Sequence, residues 1–296
     1  MESQITTTGA LSLFETALVG ANNSPKTIRA YTDDLKQFLE WLRGVRVDWD
    51  SPQRFTRIDI VEFLSTLSSR GFSGVTRVRK LAAVRKFFTF MKDNNYIAGN
   101  PAQTVKGPIR EEKDPEVLYR NEYKALLYEA SQNSRDYAIL MVFLQTGVRV
   151  GELVSLKQED IDLENKLLVV RQGKGKKDRT IPLEEQAIKA LEVYKVTRNK
   201  QEDVVDQETL FLAKNGTSLD VRSIRYLVHK YLEKAGISKK ASVHTLRHTF
   251  GTHKVDKGMT IPALQELLGH KKMETTYKYV HLAKTTLRQQ MEQTAL

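Results

Sequence analysis

HTLRHTFGTH (His244–His253) and, after a short connector, LLGHKKMETTYKYVH (Leu267–His281) decide how the rest of the chain is read. His244 and Arg247 stand three residues apart, so on a helix they share a face. His270 follows Gly269, a residue type that favours a helix C-terminus, and Tyr277 and Tyr279 close the stretch. Cations of this kind gather around a phosphate, and a phenol beside them is a nucleophile that can break it. Such a site still wants a second arginine and a lysine, which have to come from upstream.

Upstream, TGVRVGELVSL (Thr146–Leu156) supplies Arg149. The runs Leu167–Val170 and Arg179–Pro182 read as two strands of a hairpin whose tip, QGKGKKD (Gln172–Asp178), carries Lys174, Lys176 and Lys177. Helices are expected at 121–131, 135–146, 184–197 and 219–235, with a short apolar piece, Leu210–Leu212, between the last two. Helix 135–146 is apolar on nearly every side, which predicts burial, and Gly147 caps it.

The first half reads as all-helical, with four or five helices. After a short lead-in helix at 11–18, Ser24-Pro25 opens a strong one, with Ile28, Tyr31, Leu35, Phe38, Leu39 and Leu42 on one face. Thr56 and Asp59 form a capping-box start for the next. A further helix from about Val75 to Met91 turns Leu81, Val84, Phe88 and Met91 inward. Arg79 and Lys86 lie nearly opposite, flanked by Ala82 and Ala83, where a DNA backbone can approach closely. GPIREEKDP (Gly107–Pro115) breaks the apolar periodicity and marks the boundary. The organisation expected is 1–107, a helical domain; 108–117, a linker; and 118–296, a second domain carrying the phosphate-binding candidates.

At 296 residues, 40% hydrophobic and 28% charged, the chain is long enough for two domains with separate cores. No run approaches the ~20 apolar residues of a membrane span, so a cytoplasmic protein without a membrane partner is expected, nucleoid-associated if DNA is its ligand. With no cysteine, disulfides, thiolate nucleophiles and cysteine-bound zinc are excluded. His244 and His248 have the i, i+4 spacing of a metal pair, but Arg247 between them repels a cation, so no metal and no other cofactor is expected. The net charge of +11 is spread over both halves: 15 basic against 10 acidic residues in 1–107, and 32 against 26 in 108–296. Both halves are thus suited to a polyanion, as in a two-jawed clamp.

With Arg149, Lys174, His244, Arg247, His270 and Tyr279 assembled, the sequence resembles the tyrosine recombinases, the phage-integrase and Xer type of site-specific DNA recombinase. TGVRVGEL, GKGKKDR, HTLRHTFGTH, LLGH and TTYKYVH occur in family order across essentially the whole second half. The resemblance implies a mainly α fold: a helical core-binding domain followed by an α+β catalytic domain with a small antiparallel hairpin, together a C-shaped clamp around DNA. It also implies that Arg149 and Arg247 bind the scissile phosphate, that Lys174 protonates the leaving 5′-oxygen, and that His244 and His270 assist. Tyr279 is the expected nucleophile, forming a 3′-phosphotyrosyl link resolved through a Holliday junction. Tyr277, two residues away, points about 200° from it on one helix and is expected as a partly buried ring.

The implied partners are double-stranded DNA with paired sites and three further copies of the chain, with room for a second recombinase or accessory proteins. The tail LAKTTLRQQMEQTAL (Leu282–Leu296) is a candidate segment for exchange between neighbours. Integration, excision and resolution of a mobile element, plasmid or chromosome dimer are all compatible with these residues. Two other readings stay open: a type IB topoisomerase, and a non-catalytic DNA-binding regulator on the same fold.

Overall fold

The computed structural model describes residues 5–108, 114–171 and 178–282. The chain divides into two compact units, Met1–Glu112 and Lys113–Leu296. The hairpin tip with Lys174, Lys176 and Lys177, part of the linker, and the tail beyond Leu282 lie outside the described residues.

The first unit comprises α1 (Thr7–Gly20), α2 (Pro25–Val45), α3 (Arg57–Ser69) and α4 (Gly74–Asp93). Local chemistry sets their starts. Ser24 accepts from the Thr27 amide with Pro25 in the first turn of α2, and Thr56 and Asp59 form the capping box of α3. The core is aromatic: the Phe38 ring meets those of Trp41, Phe55, Phe63 and Phe88, and Phe14 meets Phe87 edge-on.

One expectation for α4 needs correction. Ala83 is fully buried in the helix-packing core, so it does not flank the outward face; Ala82 does. On that face Arg79 pairs with the buried carboxylate of Asp34, and the Lys86 ammonium sits 4.6 Å from the Tyr31 ring centroid. Lys80, beside the core and only 2% exposed, is neutralised by Asp34 at 2.9 Å and also bonds Gln37.

In the second unit, α5 (Arg120–Ala130), α6 (Ser134–Thr146) and α7 (Val150–Val154) precede an antiparallel sheet of β1 (Ile161–Asp162), β2 (Leu167–Val170) and β3 (Arg179–Pro182). Leu168 pairs with Ile161 on one side and Ile181 on the other. Then come α8 (Glu185–Asn199), α9 (Val221–Lys234), α10 (Val243–Asp256), α11 (Ile261–Leu268) and α12 (Glu274–Leu282). The expected mainly helical first half and the small hairpin of the second are both present; β1 is an addition, too short to carry an alternating pattern. Helix α6 is buried as expected and packs against α5, α8 and α10. Gly147 caps it at φ +61°; a Cβ there would also sit 2.5 Å from the Phe250 ring, so the position favours glycine twice over. Among the described residues, no helix is long and apolar enough to cross a membrane.

Candidate active site

Helix α11 ends at Gly269, in the left-handed conformation at φ +63°, and its last carbonyls have no helical partner. Three arginines from different elements take them. Arg179, at the start of β3, donates to Leu267 O at 2.7 Å, Arg247 on α10 to Leu268 O at 2.7 Å, and Arg149, the residue capping α7, to Gly269 O at 3.0 Å. Arg247 also donates to Gly147 O at the end of α6. The negative ends of two helices thus offset part of the repulsion among the guanidinium groups.

Glu152 completes the brace. Its carboxylate accepts from Arg179 at 2.7 and 3.0 Å, from the Arg149 guanidinium at 2.8 Å, and from the Arg149 amide at 2.7 Å. Burial pushes the carboxyl up, but the Arg179 hydrogen bond, then those of Arg149, outweigh it and hold it at about 2. A depressed folded-state value stabilises above the unfolded value of 4.5 and is lost as pH falls from there towards 2. The difference corresponds to about 3 kcal/mol. Acid titration of stability should therefore fall less steeply between pH 5 and 2.5 for Glu152→Gln, which should also be less stable at pH 7. Parallel curves for variant and wild type would contradict the brace.

Arg247 is 5% exposed, and burial, then the charge of Arg149, lowers its pKa to about 10. Arg149 is more open, its side chain 40% exposed. Two cations thus face one region without a full complement of acids, an arrangement able to hold an anion.

Tyr279 lies beside them, fully buried, in the small core of Phe250, Val255, Leu264 and Leu268. Its ring is parallel to that of His270, with centroids 6.3 Å apart, and its hydroxyl is 3.1 Å from His248 Nδ1. Burial raises its pKa, opposed by the charges of Arg247 and Arg149. Gly251 forms the notch for the ring: a Cβ there would stand 2.8 Å from Tyr279 Cε1 and Cζ. By helix propensity alone Gly251→Ala would stabilise α10 by about 1 kcal/mol. The clash reverses the sign, and thermal unfolding should show a net loss of about 1–3 kcal/mol; a raised melting temperature would refute the notch.

Tyr277 is the exposed ring, at 49%, where a partly buried one was expected. On α12 the two positions face opposite ways, and the core takes Tyr279. Of the histidines, His270 bonds Thr276 Oγ1 through Nδ1 at 2.9 Å and is lowered to about 3 by burial, then by Arg247 and Arg149. His244 is partly open to solvent, and the surrounding protein, then the charges of Arg247, Arg225, Lys278 and Arg149, hold it below its ordinary value. His248 is lowered to about 4 by burial, then by Lys278, His244 and Arg247.

The site therefore brings together Arg149, His244, Arg247, His270 and Tyr279. Lys174, Lys176 and Lys177 fall outside the described residues, and Arg79 and Lys86 belong to the first unit. Among the described residues, no group of three or more His, Asp or Glu stands together to hold a metal ion.

Sequence reasoning missed three members. Arg179 read only as a strand residue, although its place at the base of the basic hairpin was a signal. His248 was weighed as half of a metal pair, without its tyrosine partner. Lys278 was passed over between the two tyrosines; half-buried, its ammonium is 5.2 Å from the Tyr279 ring centroid, and its pKa is lowered by burial, then by Arg247.

The phage integrase family model matches residues 116–286, and the phage integrase N-terminal SAM-like domain matches residues 11–95. Tyrosine recombinase XerC of Thermodesulfovibrio yellowstonii is 35% identical over 268 residues, 88% of this chain and 87% of that protein. The crystal structure of XerA recombinase is 32% identical, covering 97% of this chain and 98% of its own, with a TM-score of 0.56. XerH site-specific recombinase, solved bound to its palindromic difH substrate, superimposes with a TM-score of 0.77 at 23% identity, over 100% of this chain and 91% of its own.

Proposed function

The chain belongs to the phage integrase family of tyrosine recombinases, which break and rejoin DNA strands, and from that premise we propose that it exchanges strands between paired DNA sites with Tyr279 as nucleophile. The observation that carries this reading is one turn of chain. The carbonyls of Leu268 and Gly269 draw Arg247 and Arg149 together, and His270, the next residue, stacks on Tyr279.

A phosphodiester resists attack because its anionic oxygens repel the nucleophile and its leaving alkoxide is poor. In the proposed step, Arg149 and Arg247 bind the nonbridging oxygens, replacing backbone carbonyls as partners, and the charge developing in the transition state strengthens those bonds. His244 and His270 donate further hydrogen bonds, and Lys278 adds a cation. The Tyr279 oxygen attacks phosphorus, giving a 3′-phosphotyrosyl link, and Lys174 protonates the departing 5′-oxygen. The freed 5′-hydroxyl then attacks the link on a partner strand. Bond energy is kept in the covalent intermediate, so neither ATP nor a metal has a step to perform. Two such exchanges in sequence, through a Holliday junction, call for four copies on two duplex sites, and the place of action is the nucleoid. Lys176, Lys177, Arg79 and Lys86 are proposed as backbone contacts, for Arg79 at the cost of its Asp34 pair.

The test is recombination of a plasmid carrying two copies of the site, found by selecting bound fragments from the source genome, in chelator and without ATP. Deletion or inversion between the sites is the expected product. Relaxation of a plasmid lacking the site would point to a type IB topoisomerase, and tight binding without strand exchange to a DNA-binding regulator; either would overturn the proposal.

A further inference from the structure

The Tyr279 hydroxyl has to lose its proton as it attacks, and the position of His248 bears on where that proton goes. Its Nδ1 is 3.1 Å from the hydroxyl, the one hydrogen bond given to that oxygen among the described residues. His244, on the same face as Arg247 and expected only to assist, has no hydrogen bond to that oxygen among the described residues, and His270 engages Thr276 through its Nδ1. Resting on the recombinase reading, we propose that His248 is the general base that accepts the Tyr279 proton during strand cleavage.

Atoms and charges balance. The Tyr279 O–H bond breaks and its proton passes to Nδ1 of a neutral ring that carries its own hydrogen on Nε2. The oxygen pair forms the O–P bond, the P–O5′ bond breaks, and the 5′-oxygen takes a proton from Lys174. Resealing reverses each transfer, with the histidine, now an imidazolium, returning its proton to the departing phenolate.

Three features of the surroundings fit. The Arg247 charge acts on both His248 and Tyr279, so the histidine, the hydroxyl and a phosphate-binding cation share one neighbourhood. The ring is half-buried, which keeps the base away from bulk water. The charges facing it come from its own helix, His244 and Arg247, and from α12, Lys278, with His270 close by. They hold the imidazole neutral and free to accept; an arriving phosphate offsets the same charges and raises its basicity as the reaction begins.

The test uses His248→Asn, whose amide oxygen can occupy the Nδ1 position and keep the hydrogen bond but cannot take a proton. Cleavage rates on a nicked suicide duplex are compared with Tyr279 intact and with a fluorinated tyrosine of lower pKa at 279. His244→Asn is the control. His248→Asn should bind DNA as wild type and cleave about a hundredfold more slowly, as for loss of a general base. Fluorination should shrink that gap to within about tenfold, because a more acidic phenol needs less help, and should leave the His244→Asn gap unchanged.

Cleavage by His248→Asn within twofold of wild type, or a gap indifferent to fluorination, would overturn the inference, since a purely structural bond gives one or the other. Rescue of His244→Asn alone would move the role to His244. A wild type that binds its site and never forms a covalent complex would instead overturn the recombinase reading, and the inference with it.

Discussion

Tyr279→Phe is expected to leave no detectable covalent protein–DNA complex, while Tyr277→Phe retains most of the wild-type yield. Phenylalanine keeps the ring in the Gly251 notch and parallel to His270, so the fold around it should survive. The hydroxyl's hydrogen bond to His248 is lost, worth about 1 kcal/mol. DNA affinity should hold, because the hydroxyl is buried and the cations that meet phosphate are untouched. The chemical step has no other oxygen at that position, and a nucleophile's removal costs on the order of 10⁴-fold or more. Gel-shift affinity and denaturing-gel yield, measured side by side, separate the two effects. A Tyr277→Phe variant that fails to cleave while Tyr279→Phe succeeds would reverse the assignment.

Arg247→Gln is the second large effect, and the expectation is that activity and stability part company. Cleavage should fall about 10³-fold, as for loss of a preorganised donor to the developing charge. The folded protein should not suffer in proportion. The folded state lowers the pKa of Arg247 to about 10, chiefly by burial. By linkage, a depressed value for a base means that folding disfavours its protonated form, here by roughly 3 kcal/mol at neutral pH. Its hydrogen bonds to Gly147 O and Leu268 O repay part of that, and glutamine can keep one of them. Thermal unfolding of the protein alone should therefore give a melting temperature within a few degrees of wild type. A loss of several kcal/mol, with activity falling only as the folded fraction does, would make Arg247 a structural residue.

That divergence follows if the arginines are held ready for a phosphate. Glu152, the Leu267–Gly269 carbonyls and Gly147 O hold three arginines in place, and none of these partners is a phosphate. Stability is conceded at Arg247 and regained at the Glu152 carboxylate, which sits where it can fix Arg179 and Arg149 together.

Much of this was legible before any coordinates. Caps are short-range chemistry, so Ser24-Pro25, Thr56 with Asp59, and Gly147 located helix ends to within a residue or so. Strands β2 and β3 were readable as short runs on either side of a glycine-bearing tip, whereas β1, two residues long, had no run to show. The catalytic candidates on α10 and around α12 stood out because arginine, histidine and tyrosine recur at helical spacing near glycines.

What stayed hidden was long-range pairing. Arg179 reaches Glu152 across 27 positions, and Lys80 is buried only because Asp34, 46 residues earlier, neutralises it. The α4 face looked open because a helical wheel does not show that Ala83 is buried. Periodicity correctly separated Tyr277 from Tyr279, but which one the core would take depended on Gly251, from another helix.

The most direct measurement traps the intermediate on a nicked duplex in chelator, digests the complex, and locates the nucleotide by mass spectrometry. The account predicts one modified peptide, with the 3′-phosphate esterified to Tyr279. Modification at Tyr277 or at any other residue, or a protein that binds its site and yields no adduct, would contradict it.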